Sequence, residues 1–402
     1  MKFGLDRIRD EEGLQERLSG RKVALLGHPA SVDEHLTHAL DLLDNLPAIE
    51  LSTAFGPQHG LRGDKQDNMM ESPDFIDSTL QIPVHSLYGD VRRPTKQMMS
   101  DFDVLLVDLQ DLGCRIYTFI TTLLYALEAC ADFGKEVWVL DRPNPIGRPV
   151  EGLVLQEGWE SFVGAGPIPM RHGMTMGELA LWFKAKMGLV LDLNVIEMRG
   201  WDPTEPPGYG WPMDRRAWVN PSPNAPSIAM ARCYPGTVMI EGTTLSEGRG
   251  TTRPLEMVGA PNLPVHDISR SMNRLNSSWL LGCQLRSCWF EPTFHKHEGE
   301  LCAGIQVHVE PDCFFDNTQF HPWRLIALFL KGVRSVDPDF ELWRDFHYEY
   351  ETDRLAIDLI NGGPLLRQWV DDPNATPSEL EAIAHRDEVK WLEEREEYLL
   401  YR

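Results

Sequence analysis

The sequence predicts an α/β domain with a largely parallel sheet, followed by a second, α+β domain. Short β-type runs alternate with helical patterns through the first half, at 22–27, 49–55, 84–89, 103–110 and 136–140. The run Asp101-Phe-Asp-Val-Leu-Leu-Val-Asp108 is continuously apolar at its centre, as expected of a strand covered on both faces. At 402 residues the chain is long enough for two domains, each burying its own core.

The remaining elements follow from periodicity and punctuation. Ile116, Phe119, Ile120, Leu123, Leu124 and Leu127 recur at helical spacing over 116–133, and Gly134 offers the stop. A second helix begins at Thr175, where Thr175-Met-Gly-Glu178 has the spacing of a capping box. Between Trp201 and Pro226 the chain is rich in Pro, Gly and Trp, which argues against long regular elements. Beyond it, 304–309 reads as a strand, 321–333 as a helix and 379–399 as a highly charged amphipathic helix.

Composition narrows the function. Lys and Arg number 38 against 61 Asp and Glu, a net charge of −23 that would repel a phosphate backbone, so nucleic acid is not an expected partner. The first twelve residues hold no apolar run of leader length, and no apolar run anywhere is long enough to span a bilayer, so neither export nor membrane insertion is expected. Seven cysteines with no Cys-x-x-Cys pair read as reduced thiols in a cytoplasm.

In open parallel sheets, ligands bind outside the carboxyl ends of the strands. Four successive strand exits are rich in turn formers and polar side chains: Phe55-Gly-Pro-Gln-His-Gly-Leu-Arg-Gly63, Leu87-Tyr-Gly-Asp90, Asp108-Leu-Gln-Asp-Leu-Gly-Cys-Arg115 and Asp141-Arg-Pro-Asn-Pro-Ile-Gly147. No Gly-x-Gly-x-x-Gly follows the first strand and no phosphate-binding Gly-x-x-x-x-Gly-Lys-Ser/Thr occurs, which removes dinucleotide and P-loop chemistry. Serine-hydrolase and zincin signatures are also missing. A metal site from His28, His59 and Asp108 is set aside because scattered loop histidines are usually polar surface, and no metal or cofactor is expected. On the long helix, Tyr117, Thr121, Tyr125 and Glu128 share one face that can look into the crevice, where a carboxyl would have its pKa raised by desolvation.

Together with Val150-Glu-Gly152, Arg171-His-Gly-Met-Thr175, Ser222-Pro-Asn224, Glu241-Gly-Thr and Ser246-Glu-Gly-Arg-Gly-Thr251, these motifs resemble the exo-β-N-acetylmuramidases of the NamZ type, glycoside hydrolase family 171, long known as a bacterial domain of unknown function. The resemblance implies a Rossmann-like domain at 1–228, a smaller C-terminal α+β domain at 229–402, and an active-site cleft between them. It implies removal of N-acetylmuramic acid from the non-reducing ends of peptidoglycan fragments, so a small carbohydrate or muropeptide is the expected partner. It makes Glu128 and Gln58 the candidate catalytic positions. It marks as substrate-contacting His59 and Arg62; Asp108, Gln110, Asp111, Arg115 and Tyr117; Asp141, Arg142 and Asn144; and Glu151, His172, Asn224, Glu241, Glu247 and Arg249.

One position departs from the family pattern. Where the family has Gly-Pro-Glu-His-Gly, with that Glu a proposed catalytic carboxylate, this chain has Gln58. Most glycosidases use two carboxyl groups, and an amide cannot exchange a proton with the sugar. Three routes stay open: Glu128 paired with another acid such as Asp108, Asp111, Glu241 or Glu247; assistance from the substrate's acetamido group; or capture of sugar with slow or no hydrolysis.

Overall fold

In the computed structural model, which describes residues 1–67, 69–310 and 313–402, the first half forms β1 (Lys22–Leu26), β2 (Glu50–Gly56), β3 (Phe75–Ile76), β4 (Pro83–Ser86), β5 (Val104–Val107), β6 (Glu136–Leu140), β7 (Glu151–Val154), β8 (Pro169–Arg171) and β9 (Leu193–Ile196). Seven of these make one sheet in the order β3-β4-β2-β1-β5-β6-β9, parallel except for the β3–β4 pair. Without its antiparallel edge this is the Rossmann strand order, with the direction of winding reversing between β1 and β5.

Strand periodicity builds two apolar faces. Ala24, Leu26, Leu105, Val107, Val137 and Val139 face the core that includes the helix Phe119–Phe133. Their neighbours Val23, Leu25, Val104, Leu106, Trp138 and Leu140 face the helices Gly4–Asp10 and Ala39–Asp44. Both faces are therefore covered, which is why β5 reads as an unbroken apolar run. The long helix ends as its sequence indicates: Gly134 is left-handed (φ 63°) and its N–H bonds to the Cys130 carbonyl. Thr175 and Glu178 form the reciprocal capping box.

Several boundaries shift for local reasons. The expected strand 103–110 stops at Val107 because Asp108 turns to grip Arg142. The helix expected from Ile116 starts at Phe119, since the residues before it form the turn that bridges to β8. The edge strand β9, half buried and only four residues long, gave too little pattern to be recognised.

The second half contributes β10 (Met257–Pro261), β11 (Gln284–Phe290) and β12 (Cys302–His308), an antiparallel sheet in the order β10-β12-β11. The helices Val265–Asn276 and Pro322–Val336 pack with it, and the apolar core runs on into the first half without a break. The helix Pro377–Arg395 then returns to the first half. Its Glu388 accepts the Gly152 N–H at 2.8 Å and Arg324 Nη1 at 2.7 Å. Arg395 donates to the carbonyls of Arg148, His172 and Gly173 at 2.8–3.0 Å. These bonds clamp the C-terminal helix against β7 and the loops flanking the β7–β8 pair and fix how the two halves meet. No helix among the described residues is long and apolar enough to cross a membrane.

Candidate active site

A small pocket lies beyond the carboxyl ends of β2 and β5, where the second half closes over the sheet. Gln58 and His59 enter it from the turn after β2. Gly56 makes that turn possible: a Cβ there would stand 2.4 Å from the Leu61 nitrogen. His59 is left-handed (φ 69°), and its Nδ1 lies 2.9 Å from the Lys65 carbonyl. Burial holds its pKa down at about 4, so the ring is neutral, Nδ1–H donates, and Nε2 is left as an acceptor.

Tyr117 and Thr118, at the start of the long helix, supply a second wall, and Ser222 and Asn224 a third. The Asn224 amide is fixed by donating to the Gln66 carbonyl at 2.7 Å. Glu241 and Arg249 come from the second half. Arg249 Nη2 donates to Glu241 Oε1 at 2.6 Å and its Nε to Glu247 Oε1 at 3.0 Å. Gly250 lets this loop lie flat against its neighbour, since a Cβ would meet the Thr293 and Phe294 nitrogens at 2.7 Å. Burial opposes the charge on Glu247, but Lys296 at 2.8 Å and Arg249 outweigh it and keep the carboxyl well below its ordinary pKa.

The last wall is a tight turn, Tyr348 to Glu351, closed by reciprocal backbone bonds of 3.2 and 2.9 Å. Both central residues, Glu349 and Tyr350, have positive φ (47° and 72°) although neither is glycine. Such strain persists only where the surroundings enforce it. Tyr348 donates to Glu241 Oε2 at 2.8 Å. Glu349 accepts from Tyr88 Oη at 2.8 Å on Oε2 and from Gln58 Nε2 at 3.1 Å on Oε1. Burial pushes its carboxyl up to about 7, against the pull of those two donors.

The pocket therefore brings together Gln58, His59, Tyr117, Asn224, Glu241 and Arg249, with Glu247 directly behind Arg249. The other candidates lie elsewhere. Glu128 sits ten residues beyond Thr118, about 15 Å along the helix at 1.5 Å per residue. There it is half-buried and paired with Arg93, whose guanidinium stacks on Tyr125. Arg62 is exposed, lying over the Phe75 ring and 3.4 Å from Asp77.

The rest are buried polar groups that hold strand exits together. Arg142 grips Asp108 (Nη2–Oδ2 2.9 Å), and this pair occupies the switch point between β1 and β5 where a nucleotide would bind in a dinucleotide-binding fold. Gln110 donates to the carbonyls of Asp111 and Pro143. His172 accepts the Met174 N–H on Nδ1, so its Nε2–H donates to Asp111 at 3.0 Å. Arg115 reaches three carbonyls, those of Leu153, Ile168 and Ile360. Asn144 donates to the Met174 carbonyl. Asp141 accepts from Thr175 and Tyr401, and Glu151 caps the helix Pro322–Val336 through the N–H groups of Trp323 and Arg324. Buried polar atoms require such partners, and most of these find theirs within the fold, although Gln110 Oε1, Asp111 Oδ1 and Arg115 Nε have none among the described residues.

Sequence reasoning missed Thr118, Tyr88, Tyr348 and Glu349. The available signal was the alternation of aromatic and acidic residues in Phe346-His-Tyr-Glu-Tyr-Glu351, which reads equally well as an exposed loop. Among the described residues, no group of three or more His, Cys, Asp or Glu is arranged to hold a metal ion, and His28, whose Nε2 accepts the Gln110 N–H, does not line the pocket with His59.

Comparison with known proteins agrees across the whole chain. Residues 23–229 match the family model for exo-β-N-acetylmuramidase NamZ, N-terminal, and residues 232–401 match its C-terminal counterpart. The peptidoglycan β-N-acetylmuramidase NamZ of Bacillus subtilis (strain 168) is 40% identical over 329 residues, spanning 81% of this chain and 76% of that protein. Crystal structures of two DUF1343 family proteins from Bacteroides fragilis NCTC 9343 align with TM-scores of 0.85 and 0.75 at 30% and 26% identity. Each alignment covers 100% of this chain and 99% of the other. With both halves matched in order and a relative of that identity spanning most of its length, the chain belongs to the exo-β-N-acetylmuramidase NamZ family.

Proposed function

We propose that this protein is a glycoside hydrolase that removes N-acetylmuramic acid from the non-reducing end of peptidoglycan fragments. Family membership supports the reaction, and one structural observation supports its exo character: the polar side chains converge on a pocket rather than on an open channel. His59 Nε2 accepts from a sugar hydroxyl and the Asn224 amide is held in place to face the ring. Arg249 gives one N–H each to Glu241 and Glu247 and keeps further donors for the lactyl carboxylate.

The alternative, a protein that captures sugar without hydrolysing it, rests on Gln58 alone, and a carboxyl group stands directly beside that amide. The division at 1–228 and 229–402 is our reading of the domain organisation, supported by the two family models meeting near residue 230. A cytoplasmic place in cell-wall recycling is supported by seven free cysteines, five of them buried. The test is incubation with a disaccharide bearing non-reducing N-acetylmuramic acid, followed by chromatography. Release of the free monosaccharide supports the function. Intact disaccharide, or internal cleavage of longer glycans, refutes it.

A further inference from the structure

We infer that Glu349 is the general acid of this site, and that Gln58 is its positioning partner rather than the remnant of a lost catalytic group. The inference rests on the glycosidase reading above. Two carboxyl groups line the pocket, Glu241 and Glu349, and their surroundings are opposite in kind. Glu241 accepts from a guanidinium at 2.6 Å and from the Tyr348 hydroxyl at 2.8 Å, so it is paired with a cation. Glu349 makes no salt bridge among the described residues, and its two donors, the Tyr88 hydroxyl and the Gln58 amide, are both neutral. Two carboxyls in such different settings, one paired with a cation and one not, are the usual arrangement for dividing acid and base roles.

The other groups around Glu349 reinforce the division. The Glu241 anion disfavours a second negative charge, while Arg92, stacked on the Tyr350 ring at 3.2 Å, acts weakly in the opposite direction. Burial dominates and holds the carboxyl near neutrality, where a general acid is most effective.

Gln58 has a defined orientation. Thr118 Oγ1 donates to its Oε1 at 2.7 Å, which turns its NH₂ toward Glu349. That amide can donate to Glu349 Oε1 whether or not the carboxyl is protonated, so it holds the acid through both halves of the cycle. A carboxylate at position 58 would instead have to share a proton with Glu349 or repel it. The backbone strain at Glu349 and Tyr350 is consistent with this role, because it sets the carboxyl into the pocket between Tyr88 and Gln58.

In the reaction, the Glu349 O–H bond and the C1–O bond of the sugar break together, and the glycosidic oxygen leaves as an alcohol carrying that proton. Water adds to C1, with the Glu241 anion on hand to stabilise the developing positive charge. The proton released by water restores the carboxyl pair, so one water is consumed and the protein is unchanged.

The decisive experiment compares leaving groups. In Glu349→Gln, kcat/KM for the muramyl disaccharide should fall by about 10²–10⁴, the usual contribution of a general acid. A nitrophenyl muramide, whose leaving group needs no proton, should lose about tenfold or less. The basic limb of the wild-type pH profile, centred near 7, should disappear with the acid. Equal losses on both substrates, or no loss on the disaccharide, overturn the inference. Wild-type turnover of the disaccharide separately tests the proposed function. If it is absent, an infrared titration of wild type minus Glu349→Gln still tests the acid: a protonated carboxyl at pH 6 supports it, and a fully ionised one overturns it.

Discussion

If Glu349 is kept near neutrality by burial, its replacement must change how stability depends on pH. Its carboxyl moves from an ordinary 4.5 to about 7 on folding, with burial the largest cause. The folded protein then binds this proton more tightly than the unfolded chain does. Between pH 4.5 and about 7 the folded state holds more protons, so stability falls as pH rises through that window. Below it both states are protonated and the penalty vanishes. Above it the penalty is complete, and at 1.36 kcal/mol per unit it reaches about 3 kcal/mol. Glu349→Gln carries no proton and keeps the shape. Its carbonyl can accept from Gln58, and its NH₂ can donate to the Tyr88 hydroxyl. Relative to wild type it should match at pH 4.5 and gain about 3 kcal/mol at pH 8. With an unfolding entropy of about 2.1 cal/mol/K per residue over the whole chain, that is a rise in Tm of about 4 °C. Asp141, also pushed up to about 7 by burial, contributes a slope of the same sign to both proteins and cancels in the difference. Calorimetry at the two pH values reads the effect. An equal Tm difference at both, or a variant less stable at pH 8, would refute a burial-raised proton. The variant should gain stability while losing activity, the trade expected of a strained catalytic position.

Other expectations follow from the same geometry. Gln58→Glu places a carboxylate about 3 Å from Glu349, so the acid binds its proton more tightly and the basic limb of kcat/KM should move to higher pH; a shift to lower pH would contradict the neighbour relation. Glu128→Gln removes only an ion pair with the exposed Arg93, so disaccharide turnover should stay within about twofold and stability within about 1 kcal/mol; loss of activity would return Glu128 to the mechanism. Glu388→Ala leaves the Gly152 N–H without its acceptor and removes one of the carboxylates on the buried Arg324, so the urea midpoint should fall by the equivalent of about 2–4 kcal/mol.

The sheet was legible because its determinants are local. The apolar run at 104–107, the 3.6-residue recurrence through Leu127, Gly134 as a stop and the Thr175–Glu178 box each act over a few residues, and each appears in the structure. The strand exits were legible as chemically unusual but not as to what they do. Asp108, Asp141 and Arg142 have the composition of a ligand site, yet they are spent on one another and on neighbouring backbone, because a buried charge at a strand exit must be paired. Composition marks where polar groups are buried. It does not say whether the partner is a ligand or the fold itself.

The same limit explains why the sequence points to a proton donor on a different element from the one inferred above. Glu128 lies on a helix whose polar stripe is visible at four-residue spacing, and a stripe ranks residues by angle without saying how far along the axis the pocket extends. Glu349 has no comparable local mark: its donors Tyr88 and Gln58 are 261 and 291 residues away in sequence, and the turn that carries it reads as surface. The departure at position 58 was the usable clue, read too narrowly. An amide in place of a carboxylate removes a proton carrier, but it also creates a donor able to sit beside a carboxyl without sharing its proton. With Thr118 fixing which end of that amide faces inward, the substitution specifies a partner with an acceptor oxygen 3.1 Å away, and in this fold that oxygen belongs to Glu349.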